Sequence, residues 1–576
     1  MPVADEAAVV TVASGPGPVT LDGSAGPPPA RPWWRRHLGA LVAVGILLAL
    51  FAVPLRGLLR LQGPPMEEGF MLVFPERVLK GDLPNRDFLH LYGPGSLWFL
   101  AGAYWTFGVS IFTERLMGLL QLMGLVFGLY ALARSWGRGL ATVVGAVCLL
   151  IILPPIGLTA LAWNGAMALG VWAVFCGLRA RRSASPGRWA LASGLLVGLA
   201  LLFRPDLFLA CALSSVAVLW GAGAHRLRRF AVGVGLGLAP YLVQLATAGV
   251  TTTVRGIILD PVFHLRGGRS LPIPPDPSQL TGFLQLSGET YLLHWPLPTP
   301  TTAQQVFLWF WLVFLANAVL LGVAVWRFRR DRSFPARVLL AVALFSLGML
   351  PQGVQRTDST HFAWATAVGI GFLPVALFEV VRVWAPRRRR GFQAAVAGLV
   401  VLVLLLAVIP TFTYRRYTDL ALQTFGVHRL SFEVERNGRS YFYGRPDAAH
   451  ALEDLLPDIE AASSPGDRLF VGTGDLRKTP YSDAFLYYLF PELPPATHYI
   501  ELDPGVANRR DSGLSEDLAS ADIVVLSRIW DDWDEPNDSR VFGSDEPNQV
   551  LRRRFHRVGV YGDRYDLYEL WLPGRA

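Results

Sequence analysis

Lysine, cysteine and charged residues in general are scarce in this chain of 576 residues. Lys80 and Lys478 are the only lysines, so nearly all of the positive charge comes from arginine. The three cysteines, Cys148, Cys176 and Cys211, lie in apolar runs, which excludes a disulfide-stabilised scaffold. Charged residues make up 17% of the chain, whereas soluble domains carry about 25%. A purely soluble protein is therefore excluded.

Apolar residues take the place of the missing charge. Hydrophobic residues account for 52% of the chain, and the mean hydropathy is +0.37. A run near 38–55 follows three arginines and has no small-residue cleavage site after it, so we predict a retained first helix rather than a signal peptide. The chain is predicted to be a polytopic α-helical membrane protein, because further runs approach the roughly 20 residues that a span needs. They lie at about 95–112, 116–133, 140–155, 160–178, 189–203, 207–222, 230–249, 306–326, 335–352, 361–383 and 393–412.

The charge divides the chain near residue 412. The part before it has 33 basic and 16 acidic residues, and the part after it has 19 basic and 28 acidic residues. We predict a disordered cytoplasmic tail over 1–30, rich in glycine, proline and alanine. A transmembrane module over 31–412 follows, and then an extracytoplasmic α/β domain over 413–576. The basic residues form short clusters between apolar runs, which argues against a nucleic-acid partner.

The arginine clusters predict the orientation of the spans, because basic residues are enriched on the cytoplasmic side. All arginine clusters lie on the same side of the membrane only if one early apolar run does not cross it. The aromatic-rich run 95–112 is the best candidate for this non-crossing segment. This gives about eleven spans in the plasma membrane, with a cytoplasmic N-terminus and an extracytoplasmic C-terminus. Twelve spans with a different early topology is the alternative. The clusters are Arg134/Arg138, Arg179 to Arg182, Arg226 to Arg229, Arg327 to Arg332 and Arg387 to Arg390.

The C-terminal part alternates between strand-like and helix-like patterns, which indicates an α/β domain. The predicted helices are Ala448 to Ile459 and Ser482 to Leu489. The acidic run from Asp531 to Glu535 lacks the spacing of an EF-hand and is predicted to be a solvated turn. The predicted strands are Arg468 to Gly472, Thr497 to Leu502, Ala521 to Ser527 and Arg557 to Tyr561.

Acidic residues are concentrated in the first predicted outer loop. Five of the 16 acidic residues before position 413 lie there, and near lipid such a cluster is costly unless it serves a function. A solvated loop with mixed charges is an equally weighted interpretation, since Arg77, Lys80 and Arg86 lie in the same segment. The five are Glu67, Glu68, Glu76, Asp82 and Asp87.

Short motifs follow one another in this loop: Met66-Glu67-Glu68-Gly69-Phe70, Val78 to Pro84, Arg86-Asp87-Phe88, Tyr92-Gly93-Pro94-Gly95, and Phe107 to Ser110 followed by Arg115. Their order resembles the first outer loop of GT-C glycosyltransferases, of the protein O-mannosyltransferase and lipid-A aminoarabinose-transferase kind. The resemblance covers residues 38 to about 250 by motif and the later helices by topology. It implies juxtamembrane helices in this loop, in agreement with a non-crossing 95–112.

The resemblance implies a membrane glycosyltransferase that moves a sugar from a polyprenyl-phosphate donor to a cell-envelope glycan, lipid or protein, with inversion. The first-loop carboxylate of the family is the general base, and Glu67 and Glu68 occupy the positions of the Asp-Glu pair. Either carboxylate can take a proton from a hydroxyl, and Asp87 is the reserve candidate. Glu76 and Asp82 are assigned to solvated positions.

Glu67 departs from the family, which commonly has aspartate at the first position of the pair. A second departure concerns the second outer loop, where many family members have an aspartate. This chain has Asn164, which can orient a hydroxyl but cannot accept its proton. A helix N-cap is the preferred interpretation of Asn164. A divalent metal held by two carboxylates is therefore in doubt, and no cofactor is certain.

Cationic partners for the donor phosphate are expected at the outer ends of spans. Arg204 and Arg356 are placed there, and an arginine fork suits phosphate oxygens. His361 is a further candidate donor-site residue, while Asp358 and Tyr92 are candidates for orienting the acceptor. The alternatives are interfacial snorkelling for Arg204, a loop ion pair between Arg356 and Asp358, and a capping or interface role for His361.

Two other functions remain open at the level of sequence. A transporter or flippase of an envelope lipid should carry polar residues at mid-span, whereas the charges here lie at span ends. A non-catalytic envelope scaffold is compatible with the two positions at which the chain departs from the family, namely Glu67 in the first outer loop and Asn164 in the second, where family members have aspartate. An enzyme is the preferred interpretation because the charged residues gather on one face.

Overall fold

The N-terminal part of the protein is almost entirely helical, as the apolar runs predict. The structure, a computed structural model, describes residues 33–276, 278, 298–427, 431–479, 481–531, 535–563 and 567–574. The predicted tail 1–30 lies outside these residues. The α-helices of this part are Trp33–Ala52, Leu55–Leu59, Pro65–Leu79, Gly95–Phe107, Ile111–Ala133, Arg138–Ile156, Ala162–Arg179, Pro186–Phe203, Phe208–Leu219, Ala224–Leu238, Pro240–Ala248, Val250–Val254, Arg266–Arg269, Thr302–Arg330, Phe334–Gly348, Leu350–Gln355, Ser359–Trp384, Arg390–Val408 and Arg416–Thr424, with π-helical turns at Arg255–His264 and Thr411–Arg415.

Eight helical segments within the described ranges are long and apolar enough to cross a membrane. Two shorter apolar helical stretches, Leu38–Ala52 and Pro205–Leu219, accompany them. The helix Gly95–Phe107 has 13 residues, or about 20 Å of helix, which is short of a bilayer core of about 30 Å. The total of eleven crossings and the orientation of the termini stay predictions. The eight are Ile111–Trp136, Arg138–Ile156, Pro186–Phe203, Ala224–Ala248, Thr302–Arg330, Phe334–Gln355, Ser359–Trp384 and Arg390–Val408.

Small residues allow two of these helices to touch along their backbones. Gly194 and Gly198 on one helix face Gly233 and Gly237 on the other, so that each contributes a Gly-x-x-x-Gly motif. A Cβ atom at any of the four positions would lie 2.0–2.5 Å from a backbone oxygen of the facing helix. The two helices end at Arg204 and at the segment from Val250 onward, and both of these contribute to the region described below.

The C-terminal domain contains a hairpin and a four-stranded mixed sheet. The hairpin pairs β1 (Phe432–Arg436) with β2 (Arg439–Tyr443). The sheet has the order β3-β4-β6-β5, in which only β3 and β4 are parallel. Its strands are β3 (Leu469–Thr473), β4 (Ile523–Ser527), β5 (Phe555–Tyr561) and β6 (Tyr568–Pro573), and the helices are Pro446–Ala462, Phe485–Leu489, Leu514–Ala519 and Glu546–Arg554.

The predicted strand from Thr497 to Leu502 is wrong. This segment forms turns, in which Tyr499 N donates to Thr497 Oγ1 at 2.9 Å and Leu502 N donates to Tyr499 O at 3.1 Å. Leu502 has a φ of +50°, which extended strands do not accommodate. The turns carry Glu501 and Asp503 toward the membrane module.

The C-terminal domain packs directly on the helix Pro65–Leu79. A Cβ atom on Gly69 would lie 2.9 Å from Phe485 N, so only glycine permits this approach. On the same helix, Glu76 accepts two bonds from Arg439, at 2.7 and 3.0 Å. The solvated position predicted for Glu76 is therefore wrong, because its carboxylate joins the two parts of the protein.

Candidate active site

Two adjacent glutamates begin the helix Pro65–Leu79. Proline at the first helical position and acidic side chains in the first turn both favour a helix start. Side chains of successive helical residues point about 100° apart. Glu67 and Glu68 therefore enter different surroundings.

Glu68 is bound in a buried ion pair. Its carboxylate accepts from Arg115 Nε at 2.8 Å and from Arg115 Nη2 at 2.9 Å, and it also accepts from Gly63 N at 3.1 Å. The Arg115 guanidinium donates further bonds to three backbone carbonyl groups of residues 58–61. Both side chains are at most 2% exposed. Glu68, predicted as one of the catalytic pair, instead fixes the first loop against the helix that begins at Ile111.

Glu67 forms no such ion pair. Its Oε2 atom is buried and makes no hydrogen bond to any part of the chain that the structure describes. Burial raises the pKa of Glu67, while a bond from its own backbone N–H and the positive charges of Arg269 and Arg356 lower it, and the negative charge of Asp358 raises it. The carboxylate thus lies within electrostatic reach of residues from two other loops.

Charged residues surround Glu67, and we call this group the Glu67 cluster. The short loop before the helix Ser359–Trp384 supplies one side of it. Asp358 caps that helix, since its carboxylate accepts from His361 N at 2.8 Å and contacts His361 Nδ1 at 2.9 Å. Arg356 Nε donates to Asp358 at 2.8 Å. Burial opposes ionisation of Asp358, but His361 and Arg356 hold its pKa well below the usual range. The ion pair considered for this loop is present, and it lies beside Glu67.

The C-terminal domain supplies another side of the Glu67 cluster. Arg356 donates from both terminal nitrogens to Glu535, whose side chain is 5% exposed. The solvated turn predicted from Asp531 to Glu535 is therefore wrong for Glu535, because its carboxylate is buried on an arginine of the membrane module. Residues 532–534 of that turn lie outside the described residues.

Three further members were not anticipated from the sequence. Arg269 bonds to Asp503 and lies 3.7 Å from Glu501, and its carbonyl accepts from Arg356 Nη1 at 2.9 Å. Burial raises the pKa of Glu501 to about 7, the Arg269 charge lowers it, and the Glu67 charge raises it further. Glu501 is 434 positions from Glu67, and no motif signals it.

Arg204 lies over two aromatic rings at the edge of the cluster. Its guanidinium is 4.0 Å from the centre of the Tyr92 ring and 4.4 Å from that of Trp163. It also forms two hydrogen bonds to Asp206, at 3.0 and 2.8 Å. Because its charge acts on Glu501, Arg204 belongs to the same region. Tyr92, predicted to orient the acceptor, supports this arginine.

Two predicted site residues make other contacts. Asn164 is not an N-cap, because Leu161 precedes the helix; its side chain donates to Thr159 O at 3.1 Å and accepts from Trp364 at 3.0 Å. The Trp364 ring lies 5.2 Å from that of His361, so Asn164 reaches the short loop through this tryptophan. Asp87 pairs with Arg86 at 2.8 Å, which is the main cause of its lowered pKa, and Asp87 is not among the groups whose charges act on Glu67.

A metal site does not emerge from the arrangement. Among the described residues, no group of three or more His, Cys, Asp or Glu side chains is placed to hold a metal ion. Glu501 and Asp503 instead share the Arg269 guanidinium, which occupies the place where a cation would neutralise them. The cationic character of the site comes from Arg204, Arg269 and Arg356.

Comparisons with known proteins give structural matches only. No protein-family model and no curated protein sequence matches the chain. It is similar to ArnT from Cupriavidus metallidurans bound to undecaprenyl phosphate, with 15% identity, a TM-score of 0.46, and coverage of 93% of this chain and 98% of ArnT. It is also similar to the archaeal oligosaccharyltransferase AglB from Archaeoglobus fulgidus in complex with an inhibitory peptide and a dolichol-phosphate, with 12% identity, a TM-score of 0.47, and coverage of 93% and 74%.

Proposed function

We propose that this chain is a membrane glycosyltransferase that transfers a sugar from a polyprenyl-phosphate donor to a cell-envelope glycan, lipid or protein at the outer face. One observation carries the proposal: Glu67, whose Oε2 atom is buried without a partner among the described residues, lies within electrostatic reach of arginines from two other loops. A carboxylate can take the proton of an acceptor hydroxyl, and guanidinium groups suit the phosphate of a donor. Both requirements of the transfer meet at one place.

The reaction follows from these two groups. The acceptor oxygen attacks the anomeric carbon while Glu67 takes its proton, and the bond between that carbon and the phosphate oxygen breaks. The bonding electrons leave with the polyprenyl phosphate. Charge that grows on the leaving phosphate is stabilised by Arg356 and Arg204, which are already positioned before the reaction. A single displacement of this kind inverts the anomeric centre, as the resemblance implies.

Glu501 supplies the second carboxylate that Asn164 cannot. Burial raises the pKa of both Glu67 and Glu501, and two carboxylates that share a site favour a state in which one is ionised and the other protonated. The charge of Glu67 helps to keep Glu501 protonated near neutral pH, since it adds to the effect of burial on the Glu501 pKa. We assign Glu67 the role of base and Glu501 that of a hydrogen-bond donor to the sugar or its phosphate.

The raised pKa of Glu501 predicts that the folding stability of the protein depends on pH. Its pKa rises from 4.5 to about 7 on folding, so below pH 4.5 both states hold the proton and the residue has no net effect. Above that pH the unfolded chain releases the proton first, and folding stability falls until the folded group also ionises. The loss approaches ~3 kcal/mol above pH 7. Relative to the parent protein, Glu501→Gln should gain stability as the pH is raised from 4.5 to 8, measured by thermal unfolding in detergent. Glu435→Gln, on an exposed position of β1, should show no such trend.

The arginines predict a defect in donor use. Arg356→Ala and Arg204→Ala should each raise the apparent KM for the donor by about tenfold or more, because a charge-assisted hydrogen bond is worth roughly 1.5–3 kcal/mol. The KM for the acceptor should change less. Steady-state kinetics in reconstituted membranes separates the two constants. Arg552→Gln, on an exposed helix of the C-terminal domain, is the matched control. Normal donor dependence in both variants would make these residues structural arginines only.

The function itself is tested by a membrane assay with a panel of radiolabelled polyprenyl-phosphate sugars. At least one member of the panel should pass its label to an envelope fraction, and the label should not pass in membranes that carry Glu67→Gln. Absence of labelled transfer from every member of the panel would return the protein to the transporter or scaffold interpretations, whereas transfer that persists in Glu67→Gln would place the base elsewhere.

A further inference from the structure

A cavity lies apart from the Glu67 cluster. Its volume is about 400 Å³, and its walls come from the first loop, from the segment after the helix Pro240–Ala248 and from the C-terminal domain. Residues 498–512 and 251–260 form two of these walls. No residue of the Glu67 cluster lines this cavity, so it is a separate candidate binding site.

The charged residues of the cavity are mainly cationic. It is lined by Arg255, Arg509 and Arg510 against Asp260 and Asp511. Asp260 is already engaged, because it contacts His264 Nδ1 at 2.7 Å and lies 3.5 Å from Arg255. The side chains of Arg509 and Arg510 are exposed and form no hydrogen bond or ion pair with any residue that the structure describes. Two guanidinium forks therefore remain open to an anionic ligand.

One wall of the cavity also exposes apolar side chains. Val250, Val254, Ile258 and Val262 recur every four residues and form an apolar stripe, and Leu259 and Phe263 add exposed apolar surface beside it. Thr251 and Arg255, which line the cavity, belong to the same segment. The segment directly follows a candidate span, Ala224–Ala248, which places the stripe at the membrane surface.

We propose that this cavity binds the phosphate headgroup of an anionic membrane lipid whose acyl chains lie along the apolar stripe. Arg509 and Arg510 contact the phosphate from the C-terminal domain, and Arg255 contacts it from the membrane module. Asn85 Oδ1, which lines the cavity, is buried and without a partner among the described residues, so it can accept a bond from a headgroup hydroxyl. A bound lipid thereby joins the two parts of the protein, and this role does not depend on the proposed transfer reaction.

Binding is tested on the purified full-length protein by thermal shift with dioctanoyl phosphatidic acid. We expect a saturable rise in the unfolding temperature, and no rise with dioctanoyl phosphatidylcholine. The variant Arg509→Gln/Arg510→Gln should need about tenfold or more lipid for half-saturation, because each substitution removes charge-assisted bonds. The control variant Arg552→Gln/Arg553→Gln, outside the cavity, should respond like the parent protein. Unchanged binding by the first variant would overturn the proposal.

Two further measurements separate the sources of the signal. Inorganic phosphate should stabilise the protein much less than the lipid, and an equal response would overturn the assignment to a lipid. A photoreactive phosphatidic acid should label the parent protein within 250–264 or 498–512. Labelling confined to other segments would also overturn it, and this result does not require a folded variant.

Discussion

Glu67→Gln is expected to abolish turnover while folding and donor binding persist. Glutamate and glutamine are nearly isosteric, and only the ability to accept a proton is lost. General base catalysis contributes typically 10²–10⁴-fold, so the loss should be visible in a crude membrane assay. The substitution is structurally mild, because the buried Oε2 atom makes no hydrogen bond to the described residues and Glu67 forms no ion pair there.

Matched variants decide whether the effect belongs to Glu67. Asp82→Asn removes another first-loop carboxylate, one that is half-exposed and pairs with Arg77 at 2.7 Å, and it should keep most of the activity. Glu435→Gln makes the same chemical change on an exposed strand. Donor binding by the Glu67 variant is measured directly with labelled polyprenyl phosphate. If Glu67→Gln is active and Asp87→Asn is inactive, the base is Asp87; if both are active, the first loop is not the catalytic loop.

Glu68→Gln is expected to destabilise the fold rather than to remove a catalytic group. The substitution leaves the buried Arg115 guanidinium without its counter-ion, and breaking a buried ion pair from one side costs about 3–5 kcal/mol. Thermal unfolding of the purified variant in detergent measures the loss. Activity will fall with the folded population, so an inactive Glu68→Gln would not by itself identify a catalytic residue.

A double variant distinguishes the two explanations. In Glu68→Gln/Arg115→Gln the unpaired charge is gone, so the combined cost should be smaller than the sum of the two single costs. Glu68→Gln with normal unfolding but no turnover would contradict the structural role and would return Glu68 to the catalytic candidates.

Much of the architecture was predictable because it depends on local pattern. The apolar runs from 116 onward became helices close to their predicted bounds, since a helix in lipid satisfies its own backbone hydrogen bonds. The acidic first loop indicated where to look for a base. It did not indicate which glutamate is free, because Glu67 and Glu68 are equivalent as sequence and differ only in what surrounds them.

In the tertiary structure, residues far apart in the sequence distinguish Glu67 from Glu68. Arg115, 47 positions away, neutralises Glu68 and leaves Glu67 unpaired. Arg356 and Glu535 meet across 179 positions, which turned a predicted solvated turn into part of the site. Glu501 reached the cluster because the segment from Thr497 forms turns where a strand was predicted. Burial and neighbouring charge set the proton affinity of a carboxylate, and no local pattern encodes either quantity. The sequence by itself determined the helices and the acidic first loop, whereas the fold alone decided which carboxylates are held in ion pairs there and what surrounds each of them.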